Sequence, residues 1–218
     1  MLLVQAPESL EELARSVIEW SGRRVTGLSG PLEQVRQARI ALDLADAPAA
    51  MDSDEALYGL DLGDVVVPRP LRDGQITCLA PLPEEYDTLR AWRLAYDIEA
   101  LGGADSLESR ERAAGSLDAQ IADANVWVAV DQGRLVSLSA FNAALPDIVQ
   151  LGGIYTPPEF RGRGYAKAAV AASLLAARDR GATRAVLFTD NPSAARSYEA
   201  VGFRRLGDYG LILLRNPI

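Results

Sequence analysis

Apolar positions recur at helical spacing over Leu10, Leu13, Ala14, Val17 and Ile18, with Glu8, Glu11 and Glu12 placed where a helix dipole favours acids. That pattern predicts a first helix. Residues 25–28 read as a short strand closed by Ser29-Gly30-Pro31. Pro31 stands where the first position of a second helix belongs, and that helix runs through Val35, Ala38, Ile40 and Leu42 to Ala47-Pro48. Residues 57–62 and 64–67 read as two strands. Pro68-Arg69-Pro70 followed by Asp73-Gly74 is then the strongest punctuation in the chain, and it predicts a boundary near residue 70.

Past that boundary the periods alternate between two and 3.6. Residues 75–79 predict a strand, and Pro83 with Glu84 and Glu85 opens a helix that reaches Leu101 before Gly102-Gly103. Residues 106–124 predict a second helix. Residues 126–130 and 135–141, joined by Gln132-Gly133, predict a hairpin, and 148–155 a further strand. An alanine-rich helix over 165–180 ends at Gly181. A strand at 184–189, a helix at 193–201 closed by Gly202, and a last strand at 211–214 complete the order β-α-α-β-β-β-α-β-α-β. The fold class is therefore mixed α/β: a small N-terminal α/β lobe over residues 1–70, then a domain over 71–218. There is no repeat of fixed period.

Composition narrows what such a chain does. Of 218 residues 49% are apolar and 24% charged, the balance of a soluble globular protein. No stretch approaches the roughly 18 apolar residues of a membrane span. Acids outnumber bases, 30 against 22, for a net charge of −8, which excludes broad binding to nucleic acid or to anionic membranes. There are no histidines, so imidazole metal sites and triads with a His base are excluded, and no metal is expected. The lone Cys78 cannot form an internal disulfide and reads as a small buried strand residue. It fits a reducing compartment, and the first residues have no basic leader pattern, so the expectation is a cytoplasmic protein, monomeric or homodimeric.

The chemistry concentrates in Thr156-Pro157-Pro158-Glu159-Phe160-Arg161-Gly162-Arg163-Gly164-Tyr165-Ala166. A strand ends at two prolines, and a turn rich in Gly and Arg feeds directly into a helix. Gly162 and Gly164 permit positive φ and close approach of a ligand. Exposed amides at the helix start, at the positive end of the dipole, favour an anion. Arg161, Arg163, Lys167, Arg178 and Arg180 stand against the single acid Asp179 over residues 161–180, so a local excess of base sits in an acidic chain. The ligand this predicts bears phosphate. A Walker A ending is absent, and so is a three-glycine Rossmann fingerprint early in a βαβ unit.

Arg161-x-x-Gly164-x-Ala166 resembles the pyrophosphate loop of the GNAT superfamily of acyl-CoA-dependent N-acyltransferases. The downstream Asn191-Pro192-Ser193-Ala194-Ala195-Arg196-Ser197-Tyr198-Glu199-Ala200-Val201-Gly202-Phe203 resembles its second signature. The resemblance covers about residue 75 to the C-terminus and implies a central mixed sheet flanked by helices. It also implies that the amides of Arg161, Gly162, Arg163, Gly164, Tyr165 and Ala166 hold the pyrophosphate of acetyl-CoA, with the Arg161 and Arg163 side chains adding charge. Ile154, Tyr155 and Thr156 would part from the neighbouring strand and pair with the pantetheine amides. Asn191 would hydrogen-bond that arm, although a residue before Pro192 is also a good helix cap. Tyr198 would protonate the leaving thiolate.

On the acceptor side the resemblance points to Trp92, Tyr96 and Glu99, at i, i+4 and i+7 on one helix, and to Asn142 and Asp147 between strands. Glu99 or Glu159 would serve as base through a water if a base is needed. The activity implied is direct acetyl transfer from acetyl-CoA to a primary amine of a small molecule or peptide. The rival readings are a CoA-binding regulatory module that has lost catalysis, with the N-terminal lobe sensing a ligand, and an O-acyltransferase, which the lack of histidine disfavours.

Overall fold

A computed structural model describes residues 1–6 and 8–218 of the chain. It divides into two compact units, one formed by Met1–Tyr58, Phe188–Asp190 and Arg205–Ile218, the other by Gly59–Leu187 and Asn191–Arg204. The expected boundary at residue 70 falls inside the second unit, where Pro68-Arg69-Pro70 leads into a single helical turn, α3 (Arg69–Arg72). For the naming below, α1 is Leu10–Ser21, α2 Leu32–Ala41, α4 Tyr86–Leu101, α5 Leu107–Ala122, α6 Tyr165–Asp179 and α7 Pro192–Glu199.

In the first unit, β1 (Leu2–Leu3) runs parallel to β2 (Gly27–Pro31), and β2 pairs antiparallel with the last strand, β9 (Arg204–Leu214), from Gly27↔Leu213 to Pro31↔Tyr209. The C-terminal strand therefore belongs with the N-terminal residues. Leu10, Leu28, Val35, Ala38 and Ile212 form the core of this unit. Two expectations shift here. Pro31 ends β2 and stands just before α2 rather than inside it. In place of two short strands over 57–62 and 64–67 there is one long strand, β3 (Ala49–Asp61), followed by a single 3-10 turn at Leu62–Asp64. Acids hid that strand from the apolar pattern. Asp52 and Asp54 are paired with Arg39 and Arg36 of α2, at 2.6 and 2.7 Å, so the strand carries acids that have partners on a helix.

In the second unit, β4 (Ile76–Leu79), β5 (Val126–Asp131), β6 (Arg134–Ala144) and β7 (Ile148–Tyr155) pair antiparallel in sequence order, and β8 (Arg184–Thr189) joins β7 in parallel. Period-two alternation gives this sheet two apolar faces. Ile76, Ala129 and Val136 pack on Tyr165, Ala168 and Ala169 of α6. Val126, Val128, Leu138 and Ala140 pack on Leu89 of α4 and Leu117 of α5. Helices thus cover both faces of a mixed sheet, as the sequence predicts for this part. Alanine at 168 and 169, both fully buried, brings α6 close to the strands. Ser106 caps α5 by accepting from the Ser109 amide at 3.1 Å, and Gly102 ends α4 in the left-handed conformation.

Candidate active site

All the expected site residues lie in the second unit. The strand β7 stops at Tyr155, Pro158–Phe160 forms a 3-10 turn, and the chain reaches α6 through Gly162 and Gly164, with φ of 76° and 82°. Both glycines are required by the turn itself. A Cβ at Gly162 would meet nothing within 4 Å, and one at Gly164 only Cε of Lys167 at 3.5 Å, so the space above the loop is open. Gly164 caps α6 without any side-chain acceptor, and no acid occupies the first turn. The amides of Tyr165, Ala166 and Lys167 are thus presented at a helix N-terminus whose own first turn carries no carboxylate.

A side chain fixes the position of that terminus. The Tyr165 hydroxyl donates to Oδ2 of Asp131 at the end of β5, and Arg163 stands beside the same hydroxyl. The Asp131 hydrogen bond and then burial raise the Tyr165 phenol above its ordinary range, while Arg163 opposes them.

Strand β7 is paired to β8 only from Ile148↔Arg184 to Gln150↔Val186. Its remaining residues, through Ile154 and Tyr155, have no register with β8. On the other side, the β6–β7 register is interrupted between Leu138 and Ala140, where Gly153 takes a φ of 70°. The end of the strand is held from β6: Ser137 Oγ donates to the Tyr155 carbonyl at 3.1 Å and lies 2.8 Å from Thr156 Oγ1. A strand with one edge released and the other pinned offers main-chain groups to an extended ligand.

The three residues expected on one face of α4 lie against this strand end and α7. The Trp92 ring centroid is 6.3 Å from that of Tyr155. Tyr96 lies under the Arg93 guanidinium, 5.6 Å away, and acts electrostatically on Tyr198 of α7. The Glu99 carboxylate accepts from the Tyr155 hydroxyl at 3.2 Å and from Arg161 Nη2 at 2.6 Å. Arg161 also donates from Nε to the Thr156 carbonyl at 2.9 Å, and its guanidinium sits 5.7 Å from the Tyr155 ring. Two groups expected in separate roles, a base and a phosphate ligand, are therefore bonded to each other.

Tyr198 is buried, edge-on to Phe203 with centroids 6.1 Å apart. Burial, with a smaller contribution from Tyr96, pushes its phenol well above the ordinary range, so it is held protonated. Asn191 Oδ1 accepts from the amides of Ser193 and Ala194 at 2.9 and 3.3 Å, the N-cap of α7. Asn142 is exposed and lies against the backbone of Gly152, where a Cβ would fall 1.9 Å from its Nδ2. Asp147 ties the β6–β7 turn to the start of β8 through its carbonyl, which accepts from the Thr183 and Arg184 amides, and through Arg184 Nη2 at 2.7 Å.

One cluster was missed from the sequence. Arg93 Nε donates to Asp97 Oδ1 and its Nη1 to Gln120 Oε1, both at 3.1 Å, with the ion pair only 12% and 11% exposed. A Cβ at Gly153 would lie 3.1 Å from Arg93 Nη1, so this pair covers the irregular point of β7. The signals were an Arg and Asp at i and i+4 and two adjacent glycines inside a strand. Among the described residues no group of three or more His, Cys, Asp or Glu is placed to hold a metal ion, and no helix is long and apolar enough to cross a membrane.

Comparison with known proteins bears on the family and the fold. The profile of the acetyltransferase (GNAT) family matches residues 87–203. N-acetyltransferase family 8 member 2 of Rattus norvegicus is 35% identical over 107 residues, covering 44% of this chain and 46% of that protein. The matched stretch is thus about half the length of that curated relative. A GCN5-related N-acetyltransferase from Kribbella flavida superposes with a TM-score of 0.62 at 18% identity, over 94% of this chain and 74% of that one. A GNAT-family acetyltransferase from Colwellia psychrerythraea superposes with a TM-score of 0.61 at 14% identity, over 96% and 75%. These two structures share the fold.

Proposed function

This chain belongs to the acetyltransferase (GNAT) family, and from that premise we propose that it moves an acetyl group from acetyl-CoA to a primary amine of a small molecule or to an α-amino group. The observation that carries the reading is the open, acid-free N-terminus of α6 beside a strand whose β8-side edge is released after Gln150. A pyrophosphate fits the first, and the amides of a pantetheine arm fit the second.

In the proposed reaction the neutral amine attacks the thioester carbonyl and a C–N bond forms. A main-chain amide of β7 holds the oxyanion, and the C–S bond then breaks. The Tyr198 phenol donates a proton to the departing thiolate, the nitrogen gives its proton to solvent, and solvent returns one proton to the phenolate, so the phenol is restored. Burial keeps Tyr198 protonated, so the proton is present to donate, and the same upward shift makes the phenol a weaker acid. Trp92, Tyr96 and Asn142 line the acceptor side in this reading, and Asn191 holds the pantetheine arm when it is bound. The residues of the loop act through their amides, which need no titration.

The test is thiol release from acetyl-CoA over a panel of amino acids, polyamines, arylamines and peptide N-termini, with the product identified by mass. Release that depends on an amine, together with its N-acetyl derivative, is the expected result. Tight acetyl-CoA binding without turnover on any amine would instead favour a CoA-binding regulatory module.

A further inference from the structure

The loop that the acetyl-CoA reading depends on begins with an arginine whose charge is already engaged. Arg161 Nη2 is 2.6 Å from Glu99 Oε2, its Nε is 2.9 Å from the Thr156 carbonyl, and its guanidinium lies over the Tyr155 ring. The Tyr155 hydroxyl closes the arrangement by donating to the other Glu99 oxygen at 3.2 Å. The carboxylate therefore receives two donors, one from the last residue of β7 and one from the first residue of the loop.

We propose that Glu99 and Arg161 are positioning residues: together with Tyr155 they brace the end of β7 and the start of the phosphate loop against α4, and Arg161 is not itself a phosphate ligand. The physical case is geometric. An arginine offers donors in a fixed planar fork, and here two arms of the fork are taken by acceptors on α4 and on the residue that follows β7. Turning Arg161 toward a phosphate would break both bonds and leave the Glu99 carboxylate with one donor. A brace also explains why a loop with two glycines at positive φ keeps a defined course. It is fixed at its first residue by Glu99 and at its end by the Tyr165–Asp131 bond. The pair is about half exposed, so its contribution is modest.

This inference rests on acetyl-CoA binding at the loop, and the experiment separates the two. Acetyl-CoA is titrated calorimetrically into wild type, Arg161→Lys, Arg161→Ala, Glu99→Gln and the Arg161→Lys/Glu99→Gln double variant, each checked for an unchanged thermal midpoint, and kcat, KM and the pH profile are measured alongside. A brace predicts that Arg161→Lys, which keeps the charge but loses the fork, weakens binding about three- to tenfold, and nearly as much as Arg161→Ala does. Glu99→Gln weakens it similarly, with a raised KM for acetyl-CoA and the low-pH limb of the kcat profile retained. The double variant is no worse than the weaker single one, because each change breaks the same unit. Lysine binding as well as arginine while alanine fails would make Arg161 a phosphate ligand and overturn the proposal. So would a Glu99→Gln variant with unchanged affinity, a lowered kcat and a lost pH limb, since Glu99 would then be the base. Additive losses would overturn it too. Wild type failing to bind acetyl-CoA would bring down the functional reading and this inference together, whereas a binding wild type with indifferent variants would remove only the brace.

Discussion

A phenol that is buried and pushed upward in pKa has one protonation state at neutral pH, and that bounds the part proposed for Tyr198. It can donate a proton, but it cannot serve as a resting base. Tyr198→Phe keeps the ring against Phe203 and removes only the hydroxyl. Acetyl-CoA affinity should stay within about threefold, under 1 kcal/mol. Turnover should fall toward the low end of the 10²- to 10⁴-fold typical of positioned proton transfer, because a thiolate leaves tolerably on its own. Pre-steady-state measurement of the chemical step checks this, and an undiminished rate there would make Tyr198 a packing residue. At this scale the sequence was legible where a residue type carries its own backbone geometry: Gly162 and Gly164 stand at positive φ in the turn before α6. It was illegible where the partner decides. Nothing in the spacing of Glu99 and Arg161, far apart in the chain, says that they bond to each other, and the same holds for Tyr165 and Asp131.

Elements were read well wherever the apolar period was strong and an end was marked chemically. Ser106, Gly102 and Asn191 each stand at the helix end their type predicts. The helix α1 shows the limit of such reading: its period is helical, but Leu13 and Val17 are about half exposed and only Leu10 and Ala14 are buried. Periodicity identifies a helix and leaves open which part of a wide apolar stripe meets the core. The strand β3 shows the opposite failure, in which acids paired to α2 broke the pattern. Tyr198, the proposed acid, stands on α7, which is only eight residues long and is capped by Asn191. Replacing the cap by Asn191→Ala should cost about 1 kcal/mol. That lowers the thermal midpoint by roughly 2–4 °C in a chain of this size. Asn191→Asp, which keeps an acceptor oxygen, should recover most of it. A melting curve indifferent to the alanine would mean that α7 is held by its packing alone.

The whole chain divides differently from its sequence punctuation. The Pro68-Arg69-Pro70 run suggested a cut that separates the N-terminal residues from everything after them, but β9 returns to pair with β2, so the first unit contains both ends of the chain. Long-range pairing of this kind leaves no local mark. Stability of the whole should also depend on pH at the alkaline end. Burial pushes the Cys78 thiol up to about 12 from 9.0. The folded chain keeps that proton while the unfolded chain has lost it, so Cys78 costs nothing below pH 9 and increasingly opposes folding as pH rises from 9 to 12. Cys78→Ala should therefore lose stability less steeply than wild type over that interval in denaturant titrations. Parallel slopes would show that the thiol ionises freely in the fold. The central claim, that the N-terminus of α6 holds the pyrophosphate of acetyl-CoA, is tested most directly by calorimetric titration of acetyl-CoA into wild type, Gly164→Ala and Gly164→Glu. Both variants carry a side chain at a φ of 82°, so they share the same backbone strain, and only glutamate adds a negative charge over the open amides. The account predicts one site in wild type, a modest loss in Gly164→Ala, and a further loss of at least about tenfold, 1.4 kcal/mol, in Gly164→Glu. Equal affinity of the alanine and glutamate variants, both folded, would contradict it.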